Sequence, residues 1–426
     1  MRRIVVVAGM SDAVTVKFFS PGKVPVVNRD VAESFVRSDE KPRVLYASKL
    51  YHPWTGGIES IVRWHAEGLA PSFNTSVLVC SPRGRSRTDF LNGVRVRRAA
   101  SLGIFKGMPV SPTYLLEFRK AVRKADLVHL HLPFPPADIA DVLFGNRNVP
   151  VVATWHSDLV RQRTVMPVYR PFMRRFLGRA DRIIVPARTV LENSPDLAPF
   201  RHKCTVVPLG VPLPREGSAT LDPPQRDEGL PIVLFVGRLA YYKGLDHLID
   251  AMAMINARLV IAGEGEMGNV LRDRVRRHGL EGRVQFAGRT SDEELDHWYR
   301  RCAVLVLPST GLAETSGIVQ LEAMARRKPV VNTSLKTDVP EISIDGLTGI
   351  TVAPGSAEAL AAAVNRLLAD EGLRSWLGEN GWLRVRQHFT VERMNDTVAA
   401  IYNKLLGLTQ PVTTGKRHIE TELRAA

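Results

Sequence analysis

The sequence predicts an α/β protein made of two Rossmann-like, doubly wound domains that face a central cleft. Three observations predict it. From Arg43 onward, short β-branched or apolar runs alternate with longer amphipathic stretches. The alternation breaks once, at a Pro- and Gly-rich stretch, and then restarts. At 426 residues the chain is also too long for one typical hydrophobic core.

In the first half, RVLYAS, TSVLVCS, DLVHLHLP, PVVATWHS, RIIVPA and CTVVPLG read as buried strands. ESIVRWHAEGLA and SPTYLLEFRKAVRKA read as helices between them. PLPREGSATLDPPQRDEGLP, at 212–231, has linker composition. Beyond it, PIVLFVG, ARLVIAG, RVQFAG, AVLVLPS, PVVNTS and GITVAP are strands by the same test. GLDHLIDAMAMI, EMGNVLRDRVRRHG, DEELDHWYRRC and SAEALAAAVNRLLAD supply the intervening helices. VERMNDTVAAIYNKLLGL reads as a final helix. The expected organisation is an N-terminal extension (1–40) without an assigned role, domains at 41–215 and 216–385, a C-terminal helix at 386–408 and a loose tail at 409–426. Within the extension, IVVVAG has strand composition.

Composition excludes several classes. With hydrophobic residues at 45% and charged residues at 24%, global disorder is not expected. Cys80, Cys204 and Cys302 are odd in number and far apart, which argues against a disulfide framework or a Cys-based zinc site. No apolar run approaches the roughly 20 residues that span a bilayer. The opening MRRIVVVAGMSDAV is too short in its apolar part for a secretory signal and is interrupted by Asp12. A cytoplasmic protein is expected. The net charge of +15 is one-sided: Lys41 to Arg215 holds 27 Lys plus Arg against 11 Asp plus Glu. Such a field draws acidic partners, whether membrane, nucleic acid or a phosphorylated substrate.

Several stretches have the makings of a site. GRLAYYKG (237–244) follows a strand, so Arg238 and Lys243 stand near the mouth of the cleft. A guanidinium fork and an ammonium suit a diphosphate; a solvated strand-to-helix turn is the plain alternative. AGEGE (262–266) is a second Gly-rich strand exit, without the spacing or ribose acid of a dinucleotide site. ETSGIVQLEAMA (314–325) sets two carboxylates around a Ser-Gly pair. Here a helix is expected from about Ser316, capped by Thr315 or Ser316, with Gly317 admitting a ligand to the first amides. Glu322, inside this apolar helix, can accept from both hydroxyls of a vicinal diol such as ribose. Glu314, on the loop, is expected to face a reacting sugar.

In the first half, Gly56 and Gly57 of WTGGIES leave the backbone open to a phosphate or sugar, and Glu59 suits the start of a helix. His129 and His131 of LVHLHLP are expected on opposite faces of their strand, so that one at most meets the cleft. His156 of TWHSD is expected near an acceptor. LVRQRTVMPVYRPFMRRFLGRADR (159–182) fits two readings, an amphipathic core helix with a solvated basic face or a segment lying on anionic lipid.

Together, FVGRLAYYKG, LVIAGEGE, the Glu pair of ETSGIVQLE and TGGIE resemble retaining glycosyltransferases of family 4, which have the GT-B fold. The likeness runs from about Lys41 to about Leu408. HLHLP and TWHSD are similar to bacterial mannosyl- or rhamnosyl-type transferases of cell-surface glycan assembly. The resemblance implies that Arg238 and Lys243 hold the donor diphosphate, Glu322 the ribose and Glu314 the transferred sugar. It adds the amides of Gly317, Ile318 and Val319, together with Gly56, Gly57, Gly263 and Glu264, to the donor cradle. It selects His131 as the strand histidine of the cleft. Front-face attack, with the donor phosphate accepting the acceptor's proton, is the family's favoured picture. No cofactor and no metal are expected: two cations and a helix N-terminus can stabilise the leaving diphosphate, and no convincing DxD is present. The expected partners are GDP-mannose, with a UDP-hexose as rival, a glycan or lipid-linked acceptor, and an anionic membrane surface on which the chain is peripheral. Nucleic acid is not expected, because the basic residues bring no recognition module. A non-catalytic sugar-nucleotide-binding subunit is disfavoured by the intact Arg238, Lys243, Glu314 and Glu322.

Overall fold

The computed structural model describes residues 5–7, 15–17, 41–54, 56–105, 107–157, 166–214 and 229–408. Most of the linker, the start of the 159–182 segment and the tail beyond Leu408 therefore lie outside the described residues. The chain divides into two compact units, Met1–Lys41 and Pro42–Ala426. In the first unit β1 (Val5–Val7) pairs antiparallel with β2 (Thr15–Lys17), Val6 opposite Val16.

The second unit holds two sheets. The first begins with β3 (Arg43–Ala47), α1 (Gly57–Leu69), β4 (Asn74–Cys80), β5 (Arg87–Leu91) and β6 (Val94–Ala99). A short hairpin, β7 (Gly103–Phe105) and β8 (Met108–Val110), leads to α2 (Tyr114–Val122) and β9 (Leu127–Leu132). Then come α3 (Pro135–Phe144), β10 (Val151–Trp155), α4 (Met166–Arg179), β11 (Arg182–Val185), α5 (Arg188–Asn193) and β12 (Cys204–Val206). The strand order is β12-β11-β10-β9-β3-β4-β6-β5. All neighbours are parallel except β5, which runs antiparallel to β6. The chain leaves β3 in one direction and returns on its other side at β9. Their carboxyl ends therefore flank a switch point, where such sheets open a crevice.

The second sheet repeats the plan. Its elements are β13 (Ile232–Val236), α6 (Leu245–Ala251), β14 (Arg258–Ala262), α7 (Gly268–Arg277), β15 (Val284–Gly288), α8 (Asp292–Arg301) and β16 (Val304–Val306). They continue with α9 (Val319–Met324), β17 (Val330–Thr333), α10 (Val339–Ile342), β18 (Gly349–Val352), α11 (Ala357–Ala369), α12 (Glu371–His388) and α13 (Val391–Leu406). The order β15-β14-β13-β16-β17-β18 is wholly parallel, with its switch point between β13 and β16. The central strands β9, β10, β13 and β16 are buried along their whole length. This is why they read as continuous apolar runs rather than alternating ones.

Two layers cover the first sheet. Tyr114, Phe118, Ala137, Ala140, Met173 and Phe176 of α2, α3 and α4 share one core with Leu45, Val128 and Ala153. On the opposite face, Ile61, Val62 and Leu69 of α1 meet Met394, Val398 and Tyr402 of α13. The last helix thus crosses from the second sheet to pack on the first. It starts with Thr390 accepting from the Arg393 amide at 3.2 Å and ends at Gly407 with φ 66°.

Candidate active site

At the switch point of the second sheet, the backbone turns after β13 and places Lys243 beneath the start of α6. Its Nζ lies 2.5 Å from Glu314 Oε2, and Ser309 Oγ donates to the same carboxylate oxygen at 2.8 Å. Both charges are more than nine-tenths buried. Burial works against the ammonium, but the Glu314 carboxylate and Tyr242 outweigh it and hold the Lys243 pKa above its ordinary value. Arg238 is different. Its side chain is 54% exposed and pairs with Glu266 at 3.0 Å. Across the cleft, a Cβ built on Gly107 in the β7–β8 turn would sit 3.4 Å from its Nη1. The two expected diphosphate cations are thus one buried and fixed, one exposed.

The loop after Glu314 differs from expectation at its end. The helix starts at Val319, not Ser316, and no side chain caps it. The backbone turns at Gly317, with φ 59°, in the left-handed region that an unsubstituted Cα favours. A Cβ there would also meet Leu307 Cδ2 at 2.4 Å. The Gln320 amide closes this turn on Gly317 O at 2.9 Å, so the amides of Gly317, Ile318 and Val319 stand ahead of it. A buried amide network clamps the loop from below. Gln320 Nε2 donates to Ser316 O at 3.1 Å, while Asn332 Nδ2 donates to Gln320 Oε1 at 2.8 Å and to Val339 O at 3.0 Å. Thr351 Oγ1 donates to Asn332 Oδ1 at 2.7 Å. This clamp was not legible in the sequence.

Glu322 is half-buried on α9 and accepts from Tyr299 Oη at 2.6 Å. Burial raises its pKa, and the Tyr299 bond partly opposes that. The structure brings Ile318 and Gly57 together across the cleft, with a Gly57 Cβ position 3.9 Å from the Ile318 side chain. Two further contacts join the domains beside them. Arg63 Nη1 meets Asp292 Oδ2 at 3.0 Å, and the Arg289 guanidinium lies 4.2 Å from the centre of the Trp54 ring. Gly263 and Glu264 line a cavity of about 230 Å³ with Glu266, Asn269, Arg272 and Gly288. This cavity neighbours Gly237, whose amide bonds to Ala262 O at 2.9 Å.

On the first domain, Glu59 is buried and its Oε1 lies 3.5 Å from Lys49 Nζ. A Cβ on Gly56 would fall 2.3 Å from Glu59 Oε2, so this carboxylate seats against the backbone only because residue 56 is glycine. Lys49 was missed in the sequence, where a lone lysine after a strand carries no signal. The expectation for the two strand histidines is corrected here. His129 and His131 lie on the same face, their ring centroids 4.5 Å apart, because positions i and i+2 of a strand share a face. His131 Nδ1 and His156 Nε2 share a proton position at 3.0 Å, so the structure joins these two residues directly. His129 bonds Tyr402 Oη at 2.5 Å and Thr154 Oγ1 at 2.7 Å. His65 Nδ1 meets Asn395 Oδ1 at 2.8 Å. All four rings are buried. Burial pushes His65 down to about 4 and His156 to about 3, and holds His129 and His131 well below the usual histidine range. At neutral pH the cluster is uncharged.

The comparisons with known proteins follow this geometry. A model of Glycosyltransferase Family 4 matches residues 55–215, and one of Glycosyl transferases group 1 matches 220–384. O-antigen chain mannosyltransferase C of Escherichia coli is 30% identical over 368 residues, covering 85% of this chain and 99% of that protein. The chain belongs to glycosyltransferase family 4. This glycosyltransferase is also 32% identical to D-rhamnosyltransferase WbpZ of Pseudomonas aeruginosa, over 82% of the chain and 92% of the relative. Among solved structures it resembles sucrose-phosphate synthase from Thermosynechococcus elongatus, with TM-score 0.71, 22% identity, and coverage of 87% of this chain and 100% of that one. That likeness shows the GT-B fold. The two sheets and their facing switch points are its two Rossmann-like domains.

Proposed function

We propose that this glycosyltransferase transfers mannose from GDP-mannose, with retention and without a metal, to a glycan or lipid-linked acceptor in cell-surface polysaccharide assembly. The names of the relatives support the sugar and the pathway class: an O-antigen mannosyltransferase, a D-rhamnosyltransferase and a lipopolysaccharide core mannosyltransferase of Rhizobium leguminosarum. One observation carries the chemistry. The buried Lys243–Glu314 pair lies at the second switch point, beside the loop that presents the amides of Gly317, Ile318 and Val319.

In this reading the diphosphate lies against Lys243 and those amides, with Arg238 closing over it. Charge that develops on the leaving diphosphate meets the fixed Lys243 ammonium and the Arg238 guanidinium that closes over it. Glu314, already turned on Lys243, presents its second oxygen to the transferred sugar. Glu322 exchanges its Tyr299 partner or adds to it when it accepts from the ribose hydroxyls. The cavity at Gly263 and Glu264 suits the base. The acceptor binds above Glu59, Lys49 and the neutral His131–His156 pair, and its hydroxyl attacks the anomeric carbon from the leaving-group side. The acceptor's proton passes to a donor phosphate oxygen as the C1–O bond to that phosphate breaks. The positive first domain supports an acceptor held at an anionic surface.

The test is GDP release from GDP-mannose in the presence of an extract of lipid-linked glycans, with chelator throughout. Release that depends on the extract and vanishes in Glu314→Gln supports the proposal. Release from UDP-glucose or UDP-galactose alone assigns the UDP-hexose reading instead.

A further inference from the structure

The proposed function gives Arg238 to the donor diphosphate, yet the fold already matches that guanidinium with a carboxylate. We propose that Glu266 is a built-in competitor for this cation: the donor diphosphate displaces it, and it recaptures Arg238 as the nucleoside diphosphate leaves. The proposal rests on the diphosphate reading of Arg238 and adds to it the residue that sets how tightly the product is held.

The pair is placed by backbone. β13 and β14 are parallel neighbours, so the loops that leave their carboxyl ends, 237–240 and 263–267, lie side by side. The Gly237 amide donates to Ala262 O at 2.9 Å, the Leu239 amide to Glu264 O at 3.0 Å, and the Met267 amide to Leu239 O at 3.0 Å. Two glycines permit this approach. A Cβ on Gly263 would stand 2.0 Å from Gly237 O, and one on Gly265 would stand 2.3 Å from Leu239 O. Residues 238 and 266 are thereby held opposite each other, and Arg238 Nη2 donates to Glu266 Oε2 at 3.0 Å. The ion pair follows from the register of two fixed loops, not from a chance meeting of long side chains.

Lys243 and Arg238 each carry an acid, but the two acids differ. Glu314 is buried and shared between Lys243 and Ser309, so parting it from Lys243 would strand a buried charge. The Glu266 and Arg238 side chains are 34% and 54% exposed, so water solvates both when they separate and the separation costs little. A diphosphate brings more negative charge than a carboxylate and paired oxygens that fit the guanidinium fork. Exchange therefore occurs at Arg238, while the Lys243–Glu314 pair stays in place. The displaced carboxylate does not go far. Glu266 lines the cavity of about 230 Å³ with Glu264, Asn269 and Arg272, so it remains beside the donor site and regains Arg238 as the phosphate departs. A competitor kept this close shortens the stay of the product without touching the reacting atoms.

The experiment is calorimetric titration of the full chain with GDP, and with UDP in parallel so that the cycle is read on whichever nucleotide binds. Dissociation is followed by stopped flow on the same four proteins: wild type, Glu266→Gln, Arg238→Gln and the double variant. Glu266→Gln binds the nucleotide about 5-fold more tightly, the upper range for an exposed pair, almost wholly through slower dissociation. Product inhibition of transfer tightens by the same factor. In the Arg238→Gln background the same substitution changes nothing, because the competitor then has no cation to release. Both side chains are partly exposed, and an unchanged thermal melt confirms folding. The proposal is overturned if Glu266→Gln binds no better, or more weakly as a donor-binding residue would. It is equally overturned if the gain persists without Arg238, which assigns the effect to the general field of the cavity. Failure of the underlying reading looks different: neither nucleotide binds the wild type, or Arg238→Gln binds as the wild type does, and the proposal falls with it.

Discussion

Lys243 and Glu314 offer a sharp separation of stability from catalysis. Replacing Lys243 by Met leaves the Glu314 carboxylate buried with Ser309 Oγ, at 2.8 Å, as its remaining side-chain hydrogen-bond donor. Breaking a buried pair by removing one partner costs about 3–5 kcal/mol, chiefly the penalty of an uncompensated charge. The double variant Lys243→Met/Glu314→Gln carries no such charge and keeps the volume of both side chains. It recovers most of that stability, since replacing a buried pair by a neutral set of similar size is often neutral or stabilising. Transfer behaves differently. Loss of one fixed group that stabilises developing charge costs about 100- to 1,000-fold in kcat, and the double variant recovers none of it. Urea denaturation midpoints and initial transfer rates on the same preparations give both numbers. A single variant destabilised by less than about 1 kcal/mol, the range of an exposed pair, would refute the buried-pair assignment. So would a double variant that regains activity along with stability.

Three further outcomes are expected. Arg238→Gln removes an exposed pair, so stability changes by about 1 kcal/mol or less while donor KM rises and kcat falls; a change confined to stability would leave Arg238 outside the diphosphate site. Asn332→Ala unsatisfies the buried Gln320 amide oxygen, at about 1–3 kcal/mol per orphaned group, and raises donor KM more than it lowers kcat, with partial rescue in Asn332→Ser. The pH dependence has a definite sign. His65, depressed in the fold from 6.5 to about 4, takes up its proton first in the unfolded chain, so its contribution is full above 6.5 and is lost as pH falls toward 4. Asp138 and Asp338, raised to about 7, oppose it over the same interval by binding protons in the fold. The term is therefore isolated by a variant: in His65→Asn, the change in unfolding free energy between about pH 7 and about pH 5 becomes less destabilising by about 2 kcal/mol. An identical pH slope in the two proteins would mean that His65 is not buried neutral.

The doubly wound plan was readable because parallel strands covered on both faces become unbroken apolar runs, as in IVLFV and LVHLHL. β6 escaped for the opposite reason. VRVRRA alternates with arginines, and Arg98 is buried because Asp89 on the antiparallel β5 meets it at 2.5 Å and the carbonyls of Tyr51 and His52 accept from it as well. No local pattern announces a partner supplied by another strand. α12 escaped because Leu373, Leu377, Trp376 and Trp382 do not form one stripe: it is packed partly between neighbours and partly exposed. At the candidate site, Arg238, Lys243, Glu314 and Glu322 could be named from the sequence because they lie in the segments that follow strand ends, and the structure joins Lys243 to Glu314 in a buried pair. Their partners were not. Ser309, Tyr299, Gln320 and Asn332 act through tertiary contacts, and the histidine faces were misassigned although the two-residue repeat of a strand settles them.

The most direct measurement is a thermal-shift panel of GDP, UDP, ADP and dTDP on the full chain, each without added metal and again with chelator. GDP alone is predicted to raise the melting temperature, equally with and without chelator, and Arg238→Gln is predicted to lose the shift while keeping the unliganded melting temperature. A shift that requires a divalent metal contradicts the metal-free diphosphate site, and no shift with any nucleotide at saturating concentration contradicts the donor site itself.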